Sequence, residues 1–157
     1  MLKYRQKQDG LTIVELVTVV AIVGIMASIA IPMARFGLRR QKEEELQQHL
    51  KRITSAIDQY NDLRNKGLIK EPPSPGQGPY PKTLDELIKP IELIDSKKVT
   101  LLTKRDLIDP MTGRSEWQTV SNTDEPDSSS SNDDNVWDVH STSTAPALDG
   151  KTHYNEW

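Results

Sequence analysis

Three residues near the start of the chain have types and spacing that could do chemistry: Gly10, Leu11 and Glu15, in the run DGLTIVELVTVV that begins at Asp9. Gly10 closes a basic stretch, MLKYRQKQDG, which carries Lys3, Arg5 and Lys7, and an apolar run begins at Leu11. A basic leader ahead of an apolar segment is a processing signal, but an ordinary secretory signal is cut after its apolar part. A cut at Gly10 falls before it and leaves the apolar run as a retained anchor. Glu15 is the one charge among the 24 residues from Leu11 to Ala34. A carboxylate costs on the order of 2.5–3.5 kcal/mol at the centre of a bilayer and less near its surface, so such a residue usually marks function and has a partner. No basic residue lies between Leu11 and Ala34. Cleavage after Gly10 would create one, the new α-amine of Leu11, which could pair with Glu15 in the same chain or in a neighbouring copy. The other reading of Glu15 is a tolerated acid at headgroup level.

These residues need a helix to position them. At ~1.5 Å per residue the apolar run would be roughly 36 Å long as a helix, enough to cross a hydrocarbon core with some tilt. Arg35, Arg39, Arg40 and Lys42 flank its far end as strongly as the leader flanks its near end. Charge alone therefore does not set the orientation, and the short leader makes insertion with the N-terminus inside the simpler case. Leu46, Leu50, Ile53, Ile57, Tyr60 and Leu63 recur at spacings of three and four, so the helix is expected to continue as an amphipathic rod to Lys66, with Gly67 as its cap. Pro32 lacks the N–H that would reach the carbonyl of Ser28, which predicts a kink or a local melt there.

The segment EPPSPGQGPYP, from Glu71 to Pro81, reads as a rigid loop. Thr83 and Glu86 form a T-x-x-E pattern that predicts a capped short helix ending before Pro90. The stretch from Ile91 to Leu107 is ambiguous between helix and irregular chain. Asp109–Gly113 reads as a turn, and Glu116–Val120 and Val136–Ser141 as strands. The expected fold is α+β: a long N-terminal helix packed against a short helix and a small antiparallel sheet. The expected parts are a leader over 1–10, a membrane helix over 11–34, its amphipathic continuation over 35–66, and a C-terminal domain over 67–157. That last part is thinly apolar, so it is expected to pack on its own helix.

The chain has no cysteine, so no disulfide staples the fold. Residues 1–114 hold 19 Lys and Arg against 14 acids, whereas residues 115–157 hold one Lys against nine acids. A net charge of −8 at the tip disfavours nucleic acid and favours cations. Asp124, Asp127, Asp133, Asp134 and Asp149 are candidate calcium ligands, since calcium takes six to eight oxygens from carboxylates, carbonyls and water. The other reading of the tip is a solvated acidic loop. His49, His140 and His153 read as surface histidines. No nucleophile–base constellation, phosphate loop or Cys/His metal spacing is present in the sequence.

Gly10, the apolar run from Leu11, Glu15 at the fifth position after the cut and Pro32 at the twenty-second resemble the class III leader of type IV pilins and type II secretion pseudopilins. The resemblance implies cleavage at Gly10 by an inner-membrane prepilin peptidase and N-methylation of Leu11. It also implies contact between Glu15 and the N-terminus of an adjacent subunit, and unwinding near Pro32 on assembly. Leu11 departs from the family, which more often has phenylalanine there. YPKTLDEL, IDPMTG, WDVHS and DGKTHYNEW resemble the body of the G-type major pseudopilin, which implies a calcium site in the C-terminal β-region; the serine- and aspartate-rich loop departs from it in composition. The expectation is a non-enzymatic subunit anchored by one pass in a bacterial inner membrane, with its C-terminal domain in the periplasm. Its expected partners are copies of itself in a helical filament, minor pseudopilins, an inner-membrane secretion platform and the peptidase. A type IV pilin of a surface filament is the near alternative, and a membrane-tethered binding domain the distant one.

Overall fold

The structure, a computed structural model, describes residues 12–75, 77–124 and 134–157. They group into two compact units that part between Arg39 and Arg40. Helix α1 (Ile13–Asn65) contributes to both.

In the first unit every described residue up to Leu38 is exposed, including Ile13 at 83% and Met33 at 71%. The stretch is dominated by apolar residues, with Gly24, Pro32 and Gly37 its poor helix formers. It continues through Pro32 without a break in the helix, so of the expected kink or local melt the melt is absent. The missing Pro32 N–H removes one backbone bond, and the residues on both sides keep helical geometry.

The second unit is built on the later part of α1. Leu46, Ile53, Ile57 and Tyr60 of the expected stripe are buried, Leu50 and Leu63 are half-buried, and Ala56 joins the buried face. Gly67, at φ 66°, ends the helix: its N–H donates to the Arg64 carbonyl, and the Leu68 N–H reaches back to Leu63. This paired closure suits glycine, which takes positive φ without steric cost. Helix α2 (Leu84–Ile88) supplies the buried Leu87. Residues 91–107, ambiguous in sequence, contain a hairpin of two very short strands, β1 (Ile91–Glu92) and β2 (Lys98–Val99), turned by Ser96 at positive φ. Strands β3 (Trp117–Val120) and β4 (Asp138–Ser141) pair antiparallel, Trp117 opposite Ser141 and Val120 opposite Asp138. Among the described residues the strands thus form two two-stranded sheets, with isolated bridges between Ile69 and Leu93 and between Pro146 and His153. A 3-10 turn (Tyr154–Glu156) follows.

Two buried clusters meet on the helix. Ile53, Ala56, Ile57 and Tyr60 pack with Leu87, Ile91, Leu102, Leu107, Val136 and Val139, and Leu46 packs with Ala147 and Tyr154. The expectation that the thinly apolar C-terminal part borrows its core from α1 holds within this unit. Long-range hydrogen bonds do the work a disulfide would. Glu43 Oε1 accepts from the Leu148 N–H at 2.7 Å and from the Tyr154 hydroxyl at 2.8 Å. Asp109, fully buried, accepts from the Met111 N–H and from the Ser141 hydroxyl, each at 2.7 Å, which ties the 109–113 turn to β4.

Asp106 ties the 101–107 segment to α1. Its carboxylate accepts from the Thr103 hydroxyl at 2.6 Å, the Thr103 N–H at 2.9 Å and Arg52 at 2.8 Å. These donors, the Thr103 hydroxyl foremost, hold its pKa down to about 2. A carboxyl held below its unfolded value of ~3.9 contributes stability that is present above that value and is lost as pH falls towards the folded one. Asp106→Asn is therefore expected to lower the melting temperature by ~5 °C at neutral pH. The gap to the parent should close between about pH 4 and pH 2 in thermal melts followed by circular dichroism.

Candidate functional site

The start of α1 is the first place where polar groups are aimed at a defined task. Thr12 precedes the helix, and its hydroxyl accepts the Glu15 N–H at 3.2 Å while its carbonyl accepts the Leu16 N–H at 3.0 Å. Thr12 is thus the N-cap and Glu15 stands three residues in, within the first helical turn. A carboxylate there faces the positive end of the helix dipole, worth typically 0.3–1 kcal/mol, which offsets part of the cost of placing it in an apolar setting. Thr12 is a residue that sequence reasoning passed over, although the T-x-x-E spacing of Thr12 and Glu15 was legible. Gly10 and Leu11 lie outside the described residues.

Beyond this turn the helix surface is apolar on all sides. Thr18 and Ser28, the hydroxyl residues of the run after Thr12, turn their hydroxyls back to the carbonyls of Val14 and Ile25, each at 2.7 Å. Polar side chains satisfied within their own helix can sit in hydrocarbon or against another apolar helix. Among the described residues, α1 is long and apolar enough to cross a membrane, with a window of mean hydropathy 2.5 that no other part of the structure buries.

In the second unit a cavity of about 740 Å³ opens between the end of α1, the proline-rich loop, α2 and β1. Its polar groups bond largely to one another. The Glu86 carboxylate accepts from the Tyr60 hydroxyl, from Gln77 and from the Lys82 N–H at 3.2–3.3 Å. Arg64 donates to the Tyr60 oxygen at 2.5 Å and to the Glu71 carbonyl. Burial pushes the Tyr60 phenol above its ordinary value; the Arg64 hydrogen bond opposes this and the Glu86 charge adds to it. These bonds pin the loop onto the helix. They also correct the expected cap on α2: the Thr83 side chain caps nothing, because Glu86 turns inward to this network instead.

Three of the five candidate calcium ligands, Asp124, Asp134 and Asp149, fall among the described residues. Asp127 and Asp133 lie outside the described residues. The carboxylate of Asp124 accepts the Ser121 N–H at 2.8 Å, and that of Asp149 accepts from the Lys151 N–H and from the Thr152 N–H and hydroxyl, which lowers its pKa. Asp134 is exposed. Among the described residues no three His, Cys, Asp or Glu side chains gather as a metal-holding group. The base of the acidic loop is closed by Asn135, whose amide donates to Asn122 at 2.8 Å and whose oxygen accepts from the Ser121 hydroxyl and the Asn122 N–H at 3.2 Å. His140 is bonded through Nδ1 to the main-chain oxygen of Trp157 at 2.6 Å, and His49 is half-buried rather than solvated.

Residues 5–31 match the family model described as the prokaryotic N-terminal methylation motif. No curated protein and no solved structure matches the chain. The matched span contains the Gly10–Leu11 junction, the Thr12 cap, Glu15 and the exposed apolar helix up to Ile31. Together with the α+β fold built on one long helix, this motif supports a type IV pilin-like protein with a prepilin-type N-terminus.

The cap can be checked directly. Thr12→Ala is expected to weaken the first turn by about 1 kcal/mol. In detergent micelles this should appear as roughly fivefold faster amide hydrogen exchange at Glu15 and Leu16, with exchange beyond Val19 unchanged.

Proposed function

We propose that this chain is a structural subunit of a periplasmic pseudopilus in a type II secretion system, stored in the inner membrane and polymerised through α1 to help export folded proteins. The observation that carries the reading is Glu15, an acid in the first turn of α1 and the one charge on the exposed apolar run that ends at Ala34, four residues from Leu11. A helix that only tethers a domain has no use for that charge, whereas a subunit that must register against a neighbour's amine does. The surface calls for cover on every side, and lipid and then the helices of other copies are two successive covers of the same apolar character. Lack of cysteine favours the secretion filament over a surface pilin, since many such pilins carry a C-terminal cysteine pair. Prepilin peptidase, minor pseudopilins and the secretion platform are the partners of this reading.

Processing is the first test. Co-expressed with a prepilin peptidase, the protein is expected to lose residues 1–10 and to carry one methyl group on the Leu11 amine, as read by intact mass. Retention of Met1 under these conditions would overturn the reading.

Assembly is the second. Glu15→Ala should insert and be cut as well as the parent or better, because an intramembrane charge is removed. It should fail to polymerise, because the partner of the Leu11 amine is lost. Filament yield by shearing and electron microscopy, at least tenfold below the parent, is the expected result, and parental yield would make Glu15 a passenger. In the parent cell, deletion should stop release of secreted proteins and leave surface pili intact; the reverse phenotype would assign the chain to a type IV pilus.

A further inference from the structure

The cavity at the end of α1, within the second unit, holds a donor that the protein itself does not satisfy. Arg64 gives one terminal nitrogen to the Tyr60 oxygen at 2.5 Å and the other to the Glu71 carbonyl. Its Nε–H is buried and has no partner among the described residues. A buried donor left unpaired is costly, and such groups call for an acceptor. The cavity also holds an acceptor with room to spare. The bonds to Glu86 from Tyr60, Gln77 and the Lys82 N–H all fall on Oε2, and Oε1 takes none of them. The charges of the lining cancel, Arg64, Lys70 and Lys89 against Glu71, Glu86 and Glu92, and Lys70 already meets Glu92 at 2.9 Å. An anion entering here meets carboxylates and a cation meets like charges. A neutral group that both accepts and donates a hydrogen bond meets neither.

Beside the cavity is an apolar step. One residue beyond the Ile69–Leu93 bridge, the Ile94 N–H donates to the Leu68 carbonyl at 2.9 Å, and both side chains are exposed, Leu68 at 41% and Ile94 at 65%. One residue to the other side of the bridge, Lys70 and Glu92 form part of the cavity wall. We propose that this cleft binds an extended, uncharged peptide segment of another protein. A main-chain carbonyl of the peptide accepts the Arg64 Nε–H, a main-chain N–H donates to Glu86 Oε1, and an apolar side chain covers Leu68 and Ile94. Arg64 is half-exposed and lines the cavity, so its buried nitrogen meets the carbonyl after a small side-chain shift of the kind common on binding. A sugar offers hydroxyl groups but no side chain for the apolar step. The volume of about 740 Å³ falls within the ~300–1,000 Å³ of small-ligand sites. Its walls are already fixed: the buried Gln77 accepts the Ser74 N–H at 2.8 Å and donates to Glu86, so little loop ordering remains for binding to supply.

The test uses the full chain, labelled with nitrogen-15, in detergent micelles. The probe is the blocked peptide acetyl-Gly-Leu-Gly-amide, with sodium acetate and glucose to represent anions and sugars. The Arg64 Nε–H signal is assigned by its loss in Arg64→Lys. The peptide is expected to shift that signal saturably, with a dissociation constant on the order of 0.1 mM for a ligand of about twenty non-hydrogen atoms. Acetate and glucose should leave it in place at the same concentrations. Ile94→Ser changes an exposed side chain outside the hydrogen-bond network, so it should keep the rest of the spectrum and weaken peptide binding about fivefold through the lost apolar contact. An acetate or glucose response equal to that of the peptide would make the cavity an anion or a sugar site and overturn the proposal. No shift with the peptide at about 10 mM, or undiminished affinity in Ile94→Ser, would overturn it as well.

Discussion

A single helix here has to satisfy two different surroundings, and the rest of the protein follows from how its residues change along its length. From Leu16 to Ala34 its surface is apolar on every side, and within the described residues nothing covers it. From Leu46 onward the apolar positions contract to one stripe, with Lys51, Arg52, Asp58 and Asp62 on the other faces. The first pattern is stable only among lipid tails or other apolar helices, and the second only against a core with water on the opposite side. Each buried aliphatic side chain is worth about 1.5–3 kcal/mol. The stripe alone thus supplies much of what holds the small sheets in place.

The long helix was legible because its signal is long. Six apolar residues at helical spacing, and a glycine placed to close the last turn, agree with the structure in the second unit almost residue for residue. Strands β3 and β4 were legible by alternation. The β1–β2 hairpin was not, because two residues per strand show no period and Ser96 is not a residue that advertises positive φ. The two T-x-x-E patterns are the most instructive pair. At Thr83 and Glu86 the pattern predicted a cap, and the carboxylate was drawn instead to Tyr60 and Gln77, whose buried polar atoms needed a partner. At Thr12 and Glu15 no described residue is such a competitor, and the threonine caps as the local pattern implies. Local spacing states a possibility, and tertiary demand decides it.

The candidate site was legible in part for the same reason. Glu15 stood out because its charge is alone in apolar sequence, and a lone charge needs no structure to be noticed. Thr12 was missed because a hydroxyl at the edge of an apolar run is unremarkable until its geometry is seen. The acidic tip was visible as composition only. Its described ends are held together by the amides of Asn122 and Asn135, beside the Asp124 carboxylate that accepts the Ser121 N–H. Charge count carried no information about which side chains would close the loop.

The bonds from Glu43 to Leu148 and to the Tyr154 hydroxyl span 105 and 111 residues. They impose an order of events during synthesis. At about 5–20 residues per second, on the order of ten seconds pass between the appearance of Glu43 and that of the residues that bind it. During that interval Leu46 cannot be covered by Ala147 and Tyr154, which have not yet been made. A nascent chain therefore carries an unfinished, sticky stripe until its last residues appear. Its folding depends on whatever shelters that stripe until the last residues have been made.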